Sequence, residues 1–254
     1  MTGSARTPSA TIAKNPASSG VLPPLSPVSI HLNLVLLGPP GAGKGTQAAR
    51  VAGVRGVPRL STGDVLREAA RIDSQRGRHL QSVMGRGELV EDAVVTDIVR
   101  ARIERADASR GFVLDGFPRT HAQAEALDAM MSSRGPLIII DIEVPEMELA
   151  RRLGARLTCE ACGATTPDSV GQSTCTACSG RLAQRADDQP AVVAERLKVY
   201  RKEIAPLSDF YRARPTFRSV CGAQSAALVS LDMAAAIEAA LASALAGPSL
   251  IVAV

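Results

Sequence analysis

Residues 38–46 read Gly38-Pro39-Pro40-Gly41-Ala42-Gly43-Lys44-Gly45-Thr46 and follow the template Gly-x-x-x-x-Gly-Lys-Ser/Thr of a phosphate-binding loop at Gly38, Gly43 and Lys44, with Thr46 one residue after the template's Ser/Thr position. The apolar run 32–37 before this loop is typical of a buried strand, and residues 46–54 after it predict the start of a helix. In such a loop, backbone N–H groups turn towards phosphate oxygens and the helix N terminus adds partial positive charge. We therefore expect a nucleoside triphosphate here, with Lys44 on its phosphates and Thr46 at a magnesium ion. The alternative is an accidental glycine-rich turn.

The composition limits the classes of protein that fit. The chain has 254 residues, of which 2% are aromatic, so Leu, Ile, Val and Ala must build the core. The net charge of +4 suits anionic substrates but does not indicate a nucleic-acid partner. We read no apolar run that approaches the roughly 20 residues of a membrane span, so no membrane partner is expected.

Residues 1–29 differ from the rest in being rich in Ser, Thr, Ala and Pro, with no Asp or Glu. This composition predicts a disordered N-terminal extension, with a transit peptide as the alternative. The segment contains no apolar signal-peptide core, so we expect a cytoplasmic protein rather than a secreted one.

Predicted strands and helices alternate along the rest of the chain. Strands are expected at 111–115, 137–144 and 217–221, and the main helices at the ranges 91–106, 123–131, 146–157, 190–211 (bent or broken near Pro206) and 231–245. This alternation predicts an α/β fold with a parallel sheet covered by helices on both faces. Asp115 ends an apolar strand, which is where the magnesium partner of a phosphate loop stands.

Four cysteines form two C-x-x-C pairs, Cys159/Cys162 and Cys175/Cys178, separated by twelve residues. This spacing favours a structural zinc site with four thiolate ligands, which leaves no open position for catalysis. Two disulfides or an iron site are the alternatives. Cys221 stands apart, and we interpret it as an ordinary buried thiol.

Several blocks, taken together and in this order, resemble the adenylate kinase family of the zinc-bearing type. They are residues 38–46, 60–67, 87–90, 111–120 and 184–188. The resemblance implies a P-loop NTPase-like CORE within residues 30–254, a helical AMP-binding flap at 61–90 and a small zinc-bearing LID at 155–188. It also implies a monomer that converts ATP and AMP reversibly into two ADP, with Mg²⁺ accompanying ATP.

The resemblance assigns roles position by position. Catalytic roles fall on Lys44, Arg119, Arg156, Arg185, Arg196 and Asp115. ATP contacts fall on Gly41, Ala42, Gly43, Lys44, Gly45, Thr46, Arg152 and Arg156. AMP contacts fall on Thr62, Arg67, Glu88, Leu89, Val90, Gly116, Phe117, Pro118, Arg119, Gln123, Arg185 and Arg196. The set makes chemical sense, because phosphoryl transfer needs positioned reactants and neutralised charge, and the attacking phosphate is already anionic.

The chain departs from the family at the LID. Ala155-Arg156-Leu157 stands where Gly-Arg-Arg is usual, and the loop between the cysteine pairs is short. Two other functions remain open from the sequence: a kinase for another monophosphate such as UMP or CMP, and a non-catalytic nucleotide sensor. Thr62 and Gln123 favour adenine over the first, and the set of arginines argues against the second.

Overall fold

A computed structural model describes residues 31–166 and 173–246 of the chain. The expected extension at 1–29 lies outside the described residues. The main sheet has five parallel strands in the order β2-β3-β1-β4-β8. Their bounds are β1 Leu32–Leu37, β2 Arg59–Ser61, β3 Gly111–Asp115, β4 Leu137–Glu143 and β8 Phe217–Cys221.

The sheet is buried on both faces, which explains its continuous apolar strands. All six residues of the central strand β1 are buried, and one core cluster lies on each side of the sheet. A parallel strand covered by helices on both faces has no solvent-facing side, so its sequence does not alternate. In the register of the sheet, Leu36 pairs with Asp115 of β3 and Leu37 with Asp141 of β4. The prediction of an α/β parallel sheet with helices on both faces is confirmed.

The described residues contain nine α-helices. They are α1 Lys44–Arg55, α2 Thr62–Ala70, α3 Gln75–Gly85, α4 Asp92–Ile103, α5 His121–Met131, α6 Glu146–Ala155, α7 Pro190–Val199, α8 Ala205–Arg212 and α9 Ala226–Leu245. The helix predicted at 190–211 is interrupted as expected, by the π-helical turn Tyr200–Ile204 between α7 and α8. Pro206 has no N–H to donate to the preceding turn, and a wider turn accommodates that loss.

Helix α9 corrects two expectations. It starts at Ala226 instead of residue 231, because the Ser225 hydroxyl caps it by accepting from the Leu228 N–H at 3.3 Å. Its 20 residues have a mean hydropathy of 1.7, which makes it long and apolar enough to cross a membrane, contrary to our reading of the sequence. Its buried face, which includes Met233 and Ile237, packs into the core cluster on one face of the main sheet.

The cysteine-bearing segment forms a separate small sheet. It has the antiparallel order β6-β5-β7, with β5 at Leu157–Cys159, β6 at Thr165–Thr166 and β7 at Leu182–Ala183. Helix α6 ends at Ala155 instead of residue 157, because Arg156 is extended and Leu157 already pairs in β5. Cys159, Cys175 and Leu182 are the buried residues at its centre.

Candidate active site

The predicted phosphate loop connects β1 to α1 as its sequence requires. Gly38 has φ 129°, and a Cβ there would lie 2.6 Å from the Ile142 carbonyl oxygen, so no other residue fits without a shift. The Lys44 ammonium donates to the carbonyl oxygens of Gly38 at 2.7 Å and Pro39 at 2.8 Å. Burial lowers the pKa of Lys44 to about 8, which nearby arginines reinforce and Asp115 opposes.

Asp115 lies at the carboxyl end of β3, beside the loop. Its carboxylate Oδ2 would be 3.3 Å from a Cβ at Gly45 and accepts a hydrogen bond from Arg59 Nη2 at 3.0 Å. Carboxylate oxygens are the ligands that Mg²⁺ prefers, and this one stands at the start of α1 next to the loop. The residues therefore fit a magnesium ion held together with nucleotide phosphates. Thr46 is exposed at the first turn of α1.

The loop after β3 forms a second polar wall. The Gly116 carbonyl accepts from Thr62 Oγ1 at 2.8 Å and from Arg119 Nε at 2.9 Å. The buried Gln123 amide oxygen accepts from the Arg119 backbone N–H at 2.8 Å, and its Nε2 donates to Asp92 Oδ1 at 2.7 Å. Asp92 is a carboxylate and can only accept, so it fixes which end of the Gln123 amide faces which partner.

Residues 61–90, predicted as a flap, carry α2 and α3 and meet α7 at their end. Gly87 has φ 76°, and a Cβ there would lie 3.0 Å from Arg196 Cγ. Between this segment and the phosphate loop lies a cleft of about 70 Å³ lined by Lys44, Gly87, Leu89, Gly116, Arg119 and Arg196, among others. Sites for small ligands usually measure roughly 300 Å³ or more, so this cleft is smaller than an ordinary ligand site. Of the predicted 88–90 segment, Leu89 lines the cleft, Val90 is buried and the Glu88 side chain is exposed.

Arginines and aspartates alternate on both sides of Arg196, which lines this cleft. The buried Asp188 accepts from Arg156 Nε at 2.7 Å, and its Oδ1 lies 3.1 Å from Arg196 Nη1. Arg196 Nη1 is also 3.1 Å from Asp187 Oδ2, and Arg67 Nη1 is 4.0 Å from that oxygen. Each of these predicted nucleotide-binding cations thus has a carboxylate partner within the protein. We call the set Arg67, Asp187, Arg196, Asp188 and Arg156 the charge ladder.

Two further cations interact electrostatically with the ladder. Burial lowers the pKa of Arg119 to about 10, and the positive charge of Arg196 acts in the same direction. Burial lowers the pKa of Arg185 to about 10 as well, with Arg67 and Arg156 adding to the effect. Because these cations repel one another, a ligand with several negative charges lowers the free energy of the site, which therefore favours a polyanion.

Arg185 and Arg152 are held by other elements. Arg185 Nε donates to Thr158 Oγ1 of β5 at 2.8 Å. Arg152 is anchored away from the ladder, with Nε donating to Glu148 at 2.7 Å and Nη2 to the Gly222 carbonyl at 2.9 Å. The structure therefore brings Lys44, Arg119 and the ladder together, and places Arg152 at the end of β8.

The four paired cysteines converge although their two pairs are far apart in sequence. Their sulfur atoms all lie within 4.8 Å of one another, with 3.5 Å between Cys159 and Cys178 and 3.7 Å between Cys162 and Cys175. Tetrahedral Zn–S bonds of about 2.3 Å place sulfur atoms about 3.8 Å apart, so these residues fit a zinc ion. All four are free thiols in the structure. Cys221 is exposed, and our interpretation of it as a buried thiol was wrong, because it ends β8 with its side chain facing out.

Sequence reasoning missed Arg59 and Asp92 as parts of this site. Both act through a neighbour, Arg59 on Asp115 and Asp92 on Gln123. Arg59 begins β2 and pairs with Val113, two positions before Asp115, so only the register of the folded sheet brings it to that carboxylate. Asp92 comes two residues after the predicted 88–90 segment, and no motif marks it.

Comparison with known proteins identifies the family. The adenylate kinase family model matches residues 36–216. The adenylate kinase of Archaeoglobus fulgidus is 44% identical over 214 residues, covering 82% of this chain and 98% of that protein. Those of Magnetococcus marinus and Moorella thermoacetica are 44% and 45% identical, covering 80% and 81% of this chain and 99% and 98% of those proteins. The phosphate loop, the cationic cleft and these relatives agree, and the chain belongs to the adenylate kinase family, whose members transfer a phosphoryl group reversibly from ATP to AMP to give two ADP.

Proposed function

We propose that the phosphoryl group passes through the cleft between the phosphate loop and the 116–119 loop, with Lys44, Arg119 and the arginines of the charge ladder neutralising it. The observation that carries this proposal is the convergence of Lys44, Arg119 and Arg196 on one small cleft, with Arg156 and Arg67 near enough to act on the pKa of Lys44 and of Arg119 respectively. Charge develops on the transferred phosphoryl oxygens, and fixed cations in a water-poor cleft stabilise it best. The attacking phosphate is already an anion, so no general base is required.

We infer that ATP binds with its phosphates at residues 41–46 and its base end towards Arg152. Backbone N–H groups of the loop and the N terminus of α1, which begins at Lys44, would face the phosphates. Arg152 is fixed at the carboxyl end of β8, on the far side of the sheet from the 61–90 segment. Asp115, with Thr46 at the start of α1, would hold the Mg²⁺ that accompanies ATP, and that ion supplies charge neutralisation at the phosphates.

We infer that AMP binds between the 61–90 segment and the 116–119 loop. Thr62 and Arg119 both meet the Gly116 carbonyl, and Gln123 is buried behind them with its amide oriented. Because an amide offers both a donor and an acceptor, Gln123 can read the edge of adenine. Arg67 and Arg119 then face the phosphate of AMP.

We infer that the 61–90 flap and the 155–188 LID close over the two nucleotides. Closure excludes water, which would otherwise accept the phosphoryl group. Zinc at the four cysteines would keep the LID folded, since its core consists of Cys159, Cys175 and Leu182 with few neighbours. A monomeric, cytoplasmic enzyme remains a prediction.

Replacing Arg119 tests the assignment of the AMP side. We expect Arg119→Ala to lower kcat/KM for AMP by roughly 100-fold or more, because one charge-assisted contact to the transferred group is lost. Binding of ATP, measured by calorimetry, should change less than about threefold. The matched control is Arg102→Ala. Arg102 pairs with Asp107, which precedes the amino end of β3, whereas the site lies at the carboxyl end of that strand.

A panel of monophosphate acceptors, read out by ADP formation, completes the test. The wild-type enzyme should use AMP at least tenfold better than UMP or CMP, because Gln123 is oriented for adenine. Equal use of the three acceptors, or an Arg119→Ala enzyme that matches the control, would contradict the proposed site.

A further inference from the structure

Arg59 connects the carboxylates of Asp64 and Asp115. It lies at the start of β2, and a single nitrogen, Nη2, donates to Asp115 Oδ2 and to Asp64 Oδ2, both at 3.0 Å. Its side chain is 32% exposed, whereas that of Asp115 is 12% exposed. The same guanidinium would stand 3.2 Å from a Cβ at Gly45, so it also touches the end of the phosphate loop. Arg59 therefore meets the loop, β3 and α2 at one point.

Asp64 divides its carboxylate between two arginines. Its Oδ2 accepts from Arg59, and its Oδ1 accepts from Arg67 of the charge ladder. Although partial burial opposes ionisation, the pKa of Asp64 lies below its usual range, chiefly because of Arg67, with Ser61 and Arg59 contributing. A carboxylate shared by two cations holds each of them less tightly than one that serves a single cation. The strength with which Asp64 holds Arg67 therefore depends on Arg59.

We propose that Arg59 is a positioning residue for AMP, which keeps Arg67 available to the AMP phosphate by occupying part of Asp64. Without Arg59, Asp64 has Arg67 as its remaining cation and competes with the phosphate for it. The same substitution also removes the hydrogen bond from Arg59 to Asp115. This inference rests on the proposed function, because it takes Arg67 as a phosphate ligand.

The test is calorimetric binding of AMP and of ATP without any metal, in wild type, Arg59→Gln and the control Arg102→Gln. We expect Arg59→Gln to raise the Kd for AMP about fivefold, which is the size expected for a changed, partly exposed ion pair. The Kd for ATP should change less than twofold. In steady-state assays the KM for AMP should rise more than kcat falls.

A second substitution distinguishes competition from simple damage to the fold. Adding Asp64→Asn to Arg59→Gln removes the competing carboxylate, so the double variant should regain wild-type AMP affinity within about twofold. Asp64→Asn alone should not weaken AMP binding, and this arm remains informative if Arg59→Gln unfolds.

Three results would overturn the inference. They are an Arg59→Gln enzyme that binds AMP like Arg102→Gln, a double variant with no recovery, and a weaker AMP affinity in Asp64→Asn alone. Failure of the proposed function would look different, since the wild-type enzyme would then bind AMP without dependence on Arg119.

Discussion

Lys44 shows how one residue is prepared for its ligand. It sits among Arg119, Arg156 and Arg196, and burial with their charge lowers its pKa to about 8. As the pH rises through about 8, Lys44 in the folded protein loses its proton. A lysine with the ordinary pKa of about 10.4 would still be charged there. Phosphates placed beside it favour the charged form and raise its pKa again.

This change in pKa predicts that ATP binding takes up a proton above pH 8. At pH 8.5 the free protein holds Lys44 mostly neutral, and the bound form holds it charged, so roughly half a proton or more should be taken up. Calorimetry in two buffers with different ionisation enthalpies measures the uptake, and the difference between wild type and Lys44→Met, which is the contribution of Lys44, should vanish at about pH 6.5. The Lys44→Met variant provides the control, and an uptake that survives in it would contradict the assignment.

Sequence reasoning identified residues with a local motif and missed those defined by a distant partner. Lys44 and Asp115 follow from the loop template and from a strand that ends on a carboxylate. Arg59 is 56 positions from Asp115, and Asp92 is 31 from Gln123, so only the folded sheet and helices bring these pairs together. Cys221 was misjudged for a related reason, since its exposure depends on which side of β8 it faces.

At the scale of elements, the cysteine-bearing sheet is small and has little core of its own. Strands β5, β6 and β7 have three, two and two residues, and isolated strands of this length are marginal in water. The four thiols can hold a metal ion, which would join the Cys159/Cys162 pair to the Cys175/Cys178 pair. The rest of its stability rests on the small cluster around Leu182.

The proposed zinc site therefore predicts a matched pair of cysteine variants. Cys159→Ser should lose bound zinc, measured by elemental analysis, and lower the melting temperature by roughly 5–10 °C. Cys221→Ser should keep both, because Cys221 is exposed and outside the cluster. Activity should fall with stability in Cys159→Ser. A structural role for the metal would be refuted if purified wild-type protein contained no zinc, or if Cys159→Ser and Cys221→Ser had the same melting temperature.

Element boundaries were predicted less well than element types. Four of the five parallel strands were predicted, at 32–37, 111–115, 137–144 and 217–221, whereas the start of α9 was missed because Ser225 was not recognised as a cap. The small β-strands of the 155–188 segment were not predicted either. Strands of two or three residues carry no periodicity, and here the cysteines bring them together.

At the scale of the whole molecule, the site is assembled from three parts of the chain. The connections that follow β1 and β3 contribute Lys44 and Arg119, the 61–90 segment contributes Arg67, and the 155–188 segment contributes Arg156 with Asp187 and Asp188. The ladder joins these parts through ion pairs, including the 4.0 Å approach of Arg67 to Asp187. Because the cleft measures about 70 Å³, we predict that these pairs separate when nucleotides enter.

The central claim is that the arginines of the charge ladder exchange aspartate partners for phosphate oxygens when both nucleotides are bound. A crystal structure with two adenosines joined by five phosphates tests this directly. We predict that Lys44, Arg67, Arg119, Arg156 and Arg196 lie within about 3.2 Å of phosphate oxygens in that complex. A complex in which Arg67, Arg156 and Arg196 keep their aspartate partners and leave the phosphate chain to solvent would contradict the account.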